Sequence, residues 1–369
     1  MGILRFLLAL SVVAAHGGAI WKFNFVGGQI AVQTFYIISG FYMSLIINEK
    51  YIGRNNSYKL FITNRFLRLY PIYWVVLLAT IIACIGFTIV SNGHQFLKFD
   101  SYISFKTNIC SLLFLILSNI LIFGQDLVMF LGISPENGNL FFTSNFQNTP
   151  PPLYSFLFIP QAWSLGIELC FYLLAPFILK KGFKIVFLLI CLSFLLRLFI
   201  YNVLGLCNDP WTFRFFPTEI MFFLFGYASY KIYLKIKVYK FNKLVYLSVL
   251  FFILAFVFFY LHLPSYAVKY LPFSLKDIFY FLTIILGIPF IFCFLKKNKY
   301  DDKIGELSYP IYISHLLVII ICFEFSGTLI KSGWFIVSIT IIIAYLLNKL
   351  IAKPIDSYRQ KRIKNNASL

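Results

Sequence analysis

The sequence predicts an all-α polytopic membrane protein of about ten transmembrane helices, and three observations predict it. Of 369 residues, 60% are hydrophobic and only 12% are charged, more apolar surface than a water-solvated domain can hide. Apolar runs long enough to cross a hydrocarbon core of about 30 Å recur from end to end. The lysines gather in short segments between those runs, as expected of cytoplasmic loops.

Taken in order, the runs predict crossings near 3–21, 29–48, 70–91, 160–179, 184–202, 214–230, 244–262, 277–295, 305–323 and 333–352. The basic segments are KYIGRNNSYKLFITNRFLR, KKGFK, KIYLKIKVYKFNK, KKNKYDDK and the tail KPIDSYRQKRIK. With all five in the cytoplasm the crossings alternate and both termini are inside. Segment 107–125 is apolar enough to span but would break that alternation, so it is expected to be re-entrant or interfacial on the outer side. The stretch 126–159 holds no Lys or Arg and carries Pro150, Pro151 and Pro152, which suits an extracytoplasmic loop. One membrane domain, 1–352, followed by a basic cytoplasmic tail, 353–369, is the expected organisation.

The net charge of +19 does not point to nucleic acid, and none is expected as a partner. Phe, Ile, Lys, Asn and Tyr are abundant together, as an AT-rich genome produces. The seven cysteines lie mostly inside apolar runs without a CxxC pair, so they read as small buried hydrophobes rather than disulfides or metal ligands. No metal is expected, nor is a phosphate-cradling glycine loop or a Ser-His-Asp elbow present.

Function must therefore lie in the polar residues at membrane depth. In LRFLLALSVVAAHGG, Arg5 and His16 are eleven residues apart. That is three helical turns plus roughly 20°, so both fall on one face about 16 Å apart along the axis. A signal peptide would need a fuller basic n-region than Arg5 alone, and the first helix is expected to stay in place. Arg5 can reach the cytoplasmic surface. His16 lies roughly 20 Å deep and cannot; an ionisable residue there normally faces protein or a water-filled path, although a histidine bonded between helices is the plainer alternative. In QAWSLGIELCFYLLAPF, Glu168 is placed roughly 12 Å from the outer surface, near the level of His16, with Ser164 one turn above and Trp163 at the interface. Ser308, Tyr312 and His315 form one stripe at i, i+4, i+7 spacing, for which packing is the simpler use. Arg197 and Arg214 fall at outer helix ends, where snorkelling is the default. Arg65 and Arg68, in NRFLRLYP, sit at the inner entrance of the third crossing, where arginines commonly serve as topological anchors. Together these residues outline a vertical path with cations at its base, suited to phosphate, and a histidine higher up, suited to taking a proton from a hydroxyl.

At these residues the sequence resembles the acyltransferase-3 family of bacterial integral membrane acyltransferases. LRFLLALSVVAAH matches its Arg, ten residues, His signature, and GGQIAVQTFYIISGFYMS its second-helix motif ending in SGF. FITNRFLRLYPIYW carries Arg-x-x-Arg before Tyr-Pro; WSLGIELCFYLLAPF and IGELSYPIYISH resemble the two later motifs. The chain departs from the family at Leu169 and Cys170, often acidic and Gln, and at Gln29 and Gln33, usually small or aromatic. The resemblance implies transfer of an acyl group, most often acetyl, from cytoplasmic acyl-CoA to a hydroxyl of an envelope polysaccharide or its lipid-linked precursor in the bacterial inner membrane. It implies that Arg5, Arg65 and Arg68 hold CoA phosphates, that His16 is general base or transient acyl carrier, and that Glu168 orients or charge-compensates His16. Trp163, Ser164 and His315 would line the substrate path. The rival reading is a transporter or flippase of a lipid-linked sugar, against which stands the lack of an inverted repeat.

Overall fold

The computed structural model describes residues 1–49, 57–91, 97–324 and 332–367. The apolar runs become helices: α1 (Gly2–Gly17), α2 (Gly27–Glu49), α3 (Ser57–Val90), α4 (Asp100–Ser104), α5 (Ile109–Leu121), α6 (Trp163–Ile178), α7 (Phe183–Asn202), α8 (Phe216–Ile236), α9 (Lys243–Phe259), α10 (Leu275–Leu295), α11 (Lys299–Glu306), α12 (Ser308–Glu324), α13 (Gly333–Leu347) and α14 (Lys353–Ala367). Among the described residues, eight helical stretches are long and apolar enough to cross a membrane. The two remaining expected crossings are α1, a shorter apolar helix of 16 residues, and α8, which is 21 residues long but outside that set. The chain is a multi-pass α-helical membrane protein. Outward faces stay apolar, as Leu78, Ile82, Ile85 and Ile89 on α3 and Leu188, Leu192 and Leu195 on α7 show, a pattern that only lipid makes favourable.

Two sequence expectations are corrected, and a third segment gains a structure. Much of the basic segment before the third crossing is not loop: α3 begins at Ser57 and carries Arg65 and Arg68 within its 34 residues, about 51 Å of helix. Residues 50–56 of that segment lie outside the described residues. The segment expected as the basic tail is helical over Lys353–Ala367. A π-helical turn, Asn348–Ala352, joins α13 to α14, and Arg362 of α14 donates to Thr63 Oγ1 (2.9 Å) and Asn64 Oδ1 (3.2 Å) of α3. Finally, Arg197 does not snorkel. It is 3% exposed, pairs with the fully buried Glu219 of α8, and lies over the Phe222 and Phe273 rings. Gln33 of α2 also donates to Glu219, at 3.3 Å, so the carboxylate ties three helices together, which repays part of its desolvation.

Helix α1 sits centrally, packed by α2, α11, α12 and α13, while α2 is pressed against α8. The α2–α8 crossing is a glycine contact. A Cβ at Gly40 would lie 1.8 Å from Phe223 O, and one at Gly226 2.1 Å from Ile37 O. The SGF motif thus has a packing reason, since backbones this close admit only hydrogen at those positions.

Segment 107–125 forms α5, only 13 residues or about 20 Å long. Its last carbonyls are taken by α3: Tyr73 donates to Asn119 O, Tyr70 to Leu121 O, and Trp74 Nε1 to Ile120 O at 3.0 Å. The chain then reverses through Ile122 (φ +59°) and Gly124 (φ +80°). Non-helical backbone at depth is tolerated only when protein satisfies it, and these bonds do so. A two-stranded hairpin, β1 (Leu131–Ile133) with β2 (Leu140–Phe142), is registered antiparallel with Leu131 opposite Phe142. It leads to the 3-10 turn Pro160–Ala162 that opens α6.

Candidate functional site

The polar residues of α1, α3, α6 and α12 line three successive cavities. The basal one, about 490 Å³, lies between α1, α3, α11, α12 and α14; Arg5, Arg68 and Tyr309 line it together with Glu306, Lys353 and Arg359. The same Arg5, Arg68 and Tyr309 also line a narrow middle cavity of about 100 Å³, with Ser39, Glu168, Tyr172 and Ser308. Val32 and Tyr312 close the middle cavity and line the distal one, about 650 Å³, which holds His16, Lys98, Gln161, Trp163 and Arg214. A path from end to end is therefore interrupted at two places, by the arginine pair and by Tyr312 with Val32.

Each stripe residue of α12 meets one station of this path. Arg5 Nη2 donates to Ser308 Oγ at 2.8 Å. Tyr312 Oη donates to Gln161 O at 2.8 Å and lies 2.6 Å from Ser164 Oγ, which fixes it as the partition. His315, fully buried, places Nδ1 2.6 Å from Tyr312 O and Nε2 3.3 Å from His16 Nδ1. Helices α1 and α12 run in the same direction, so their polar faces can pair along their length. Ser308 and Tyr312 line the path, whereas His315, expected to line it, lines none of the three cavities and packs behind His16.

His16 itself is an exposed residue facing the distal cavity. Its Nδ1 lies 2.9 Å from Val12 O, four residues back on α1. If that nitrogen carries the proton, it donates to Val12 O and His315 Nε2 together, while His315 Nδ1–H donates to Tyr312 O. Both rings then have one consistent tautomer, and the lone pair of His16 Nε2 is left toward the cavity.

Glu168 is not beside His16. Its partners are Ser39 Oγ at 2.6 Å and Tyr172 Oη at 2.5 Å, and it lines the middle cavity with Arg5 and Arg68. The reason is direction: α6 runs from the distal end inward, Ser164 already stands at the Tyr312 partition, and Glu168 comes one turn later. The orienting place expected for Glu168 is occupied by Val12 O and His315. Trp163 lines the distal cavity and Ser164 the middle one. Arg68 reaches the path, whereas Arg65, 4% exposed and set over Phe61, lines none of the three cavities; three residues on one helix separate their faces by roughly 60°.

Sequence reasoning missed Ser39, Tyr172, Tyr309, Gln161 and Lys98, and read Arg214 as snorkelling. Arg214 instead lines the distal cavity, forms a fork with Asp209 (2.6 and 2.8 Å), and stacks over Trp163 at 4.3 Å. Ser39 and Tyr172 were visible inside the SGF and Phe-Tyr motifs. Nothing in the local sequence marked Lys98 or Arg214.

Half-buried Arg5 and Arg68 at the base, a histidine pair at the distal end and a partition between them make up the candidate site, and comparison with known proteins gives the class of the chain. The acyltransferase domain model matches residues 1–349, and the chain belongs to that family of acyltransferases. A protein of Aquifex aeolicus with no assigned function is 28% identical over 220 residues, 58% of this chain and 93% of its own length. A Staphylococcus aureus protein named "Putative O-acetyltransferase" is 27% identical over 213 residues, 55% of this chain but 30% of its own length. The chain thus matches under a third of that larger relative. No solved structure matches. Among the described residues no group of three or more His, Cys, Asp or Glu side chains could hold a metal ion.

Proposed function

We propose that this enzyme moves an acyl group, acetyl in the first instance, from acyl-CoA at the basal end to a hydroxyl of a cell-envelope polysaccharide or its lipid-linked precursor at the distal end. The basal end would face the cytoplasm across a bacterial inner membrane. The observation that carries the reading is the row of three cavities, with Arg5 and Arg68 at the lower interruption and His16 beyond the upper one at Tyr312. A single-chambered hydrolase would not need two mouths, and the resemblance of part of the chain to a protein named for O-acetyl transfer agrees with it.

The residue roles follow from placement. Arg5 and Arg68 present guanidinium donors to CoA phosphates at the entry to the middle cavity, with Arg65 buried behind them; planar, permanently charged forks suit phosphate better than an ammonium. Glu168 balances the arginine charge rather than serving His16. The acceptor hydroxyl, positioned by Trp163 and Ser164 about the partition, gives its proton to His16 Nε2 as its oxygen attacks the thioester carbonyl carbon. The C–S bond breaks, the proton passes on to the CoA thiolate, and an ester remains on the acceptor. His315 and Val12 O hold the imidazole, as the carboxylate does in a Ser-His-Asp triad.

The test is chemical. Envelope glycans of a deletion strain should lose O-acyl groups, regain them with the wild-type gene, and not with His16→Gln at equal membrane level. Glycans unchanged by deletion would remove the reading.

A further inference from the structure

The distal cavity is one-sided in charge. Its lining includes Lys98, Arg214 and His16 and, among the described residues, no Asp or Glu side chain. Arg214 is already joined to Asp209 outside the lining, but that fork uses Nε and Nη2 and leaves other N–H donors of the five available. Lys98 is less well served. It stands on the 3-10 turn Leu97–Phe99, half-buried, and burial pushes its ammonium below the ordinary lysine range, with only the Cys84 thiol acting the other way. A desolvated cation with no carboxylate in the same cavity is costly, and the cost falls when an anion enters. Trp163, Phe213 and Phe146 carry the Arg214 guanidinium over their rings, and Tyr154, exposed in the same lining, offers a flat face of the kind that stacks on sugar rings. The volume, about 650 Å³, lies within the range of small-ligand pockets.

We infer that the acceptor is an acidic carbohydrate: a carboxylate or phosphate close to the acylated hydroxyl is held by Lys98 and Arg214 while the sugar ring lies against Tyr154. This rests on the acyl-transfer reading for what His16 does, but not for what the cavity binds. The anion sets the sugar's register, so that its hydroxyl meets His16 Nε2. A neutral sugar would fill the same volume without that register.

Full-length protein in nanodiscs of phosphatidylcholine decides the matter. Three matched oligosaccharides are compared, one neutral, one with a C6 carboxylate and one with a C6 phosphate, by quenching of tryptophan fluorescence and by transfer from labelled acetyl-CoA. One or both acidic sugars should bind about tenfold more tightly than the neutral one, as expected for one charge-assisted contact, and the preference should shrink with salt. Lys98→Met should abolish the preference and Lys98→Arg should keep it; Arg214→Gln should reduce it. Equal binding of neutral and acidic sugars by wild type, or a preference untouched by Lys98→Met in folded protein, overturns the inference. So does loss of the preference when phosphatidylglycerol is added, which would assign the cations to a lipid headgroup. Acidic sugars that bind through Lys98 without being acylated would uphold the site and remove the acyl-transfer reading. Equal acylation of all three would do the reverse.

Discussion

At the residue scale the proposed chemistry turns on which nitrogen of His16 is free. Its Nδ1 is bracketed by Val12 O and His315 Nε2, so only Nε2 can face a substrate. His16→Ala and His16→Gln should therefore lower transfer by about 10²–10⁴-fold, the usual worth of a general base, at normal membrane level. His315→Gln should cost less and should displace the pH–rate profile, because a ring that fixes a tautomer also tunes its basicity. Near-wild-type transfer by His16→Gln per molecule would return the pair to packing. Asp126 offers a separate test. It is 6% exposed, its Oδ1 has no hydrogen-bond partner among the described residues, and burial pushes its carboxyl up to about 6. A folded-state pKa above the unfolded value favours the neutral form, so the advantage is whole below pH ~4 and gone above pH ~6. Asp126→Asn should accordingly stabilise the protein at pH 7–8, by at most about 3 kcal/mol on the pKa displacement. The gain should fade in thermal melts as pH drops toward 4, and a constant gain at every pH would show that ionisation is not the cause.

At the scale of elements, two close contacts set the geometry of the path. Where α2 crosses α8, Gly40 and Gly226 let the backbones meet, which brings Ser39 to Glu168 and Gln33 to Glu219. Gly40→Val must push Phe223 O away, so folded protein recovered from membranes should fall severalfold, and what remains should have lost transfer through displacement of Ser39. Wild-type yield and rate in Gly40→Val would mean the helices are not in contact there. The second contact is α5 against α3. A 13-residue helix cannot cross, and its exposed carbonyls would be prohibitive in lipid, so Tyr70, Tyr73 and Trp74 are what make this reversal possible. Those three aromatics donate to the carbonyls of a neighbour's helix end.

At the scale of the whole molecule, the first turn of α1, the first half of α3, α11 and α14 share one end of the bundle, as the lining of the basal cavity shows. The basic segments fall at that end, which is the arrangement the positive-inside rule favours in the cytoplasm. Reporter fusions after Lys181, Lys235 and Lys297 should read cytoplasmic, and one near Asn145 extracytoplasmic. A cytoplasmic signal at Asn145 would make α5 a crossing and reverse every later helix.

The sequence by itself determined the class, the main apolar helices and which polar residues they carry. Apolar runs, a 3.6-residue period and lysine clusters act locally and survive without any partner, so Arg5, His16, Ser164, Trp163 and the stripe ending at His315 could be placed on helix faces at about their depths. What it could not determine was which faces meet. Depth along single helices puts Glu168 level with His16, whereas the partner of a buried group is set by packing between helices distant in sequence. The same limit hid the pairing of Arg197 with Glu219 and the seat of Arg214 over Trp163: an arginine at a helix end has the same local sequence whether it snorkels or turns inward. Only the tertiary structure decided that Arg68 and not Arg65 enters the path, that His315 and not Glu168 holds His16, and that Lys98 stands in the distal cavity. Each depends on the relative rotation and position of separate segments, which desolvation and close packing fix once the helices come together.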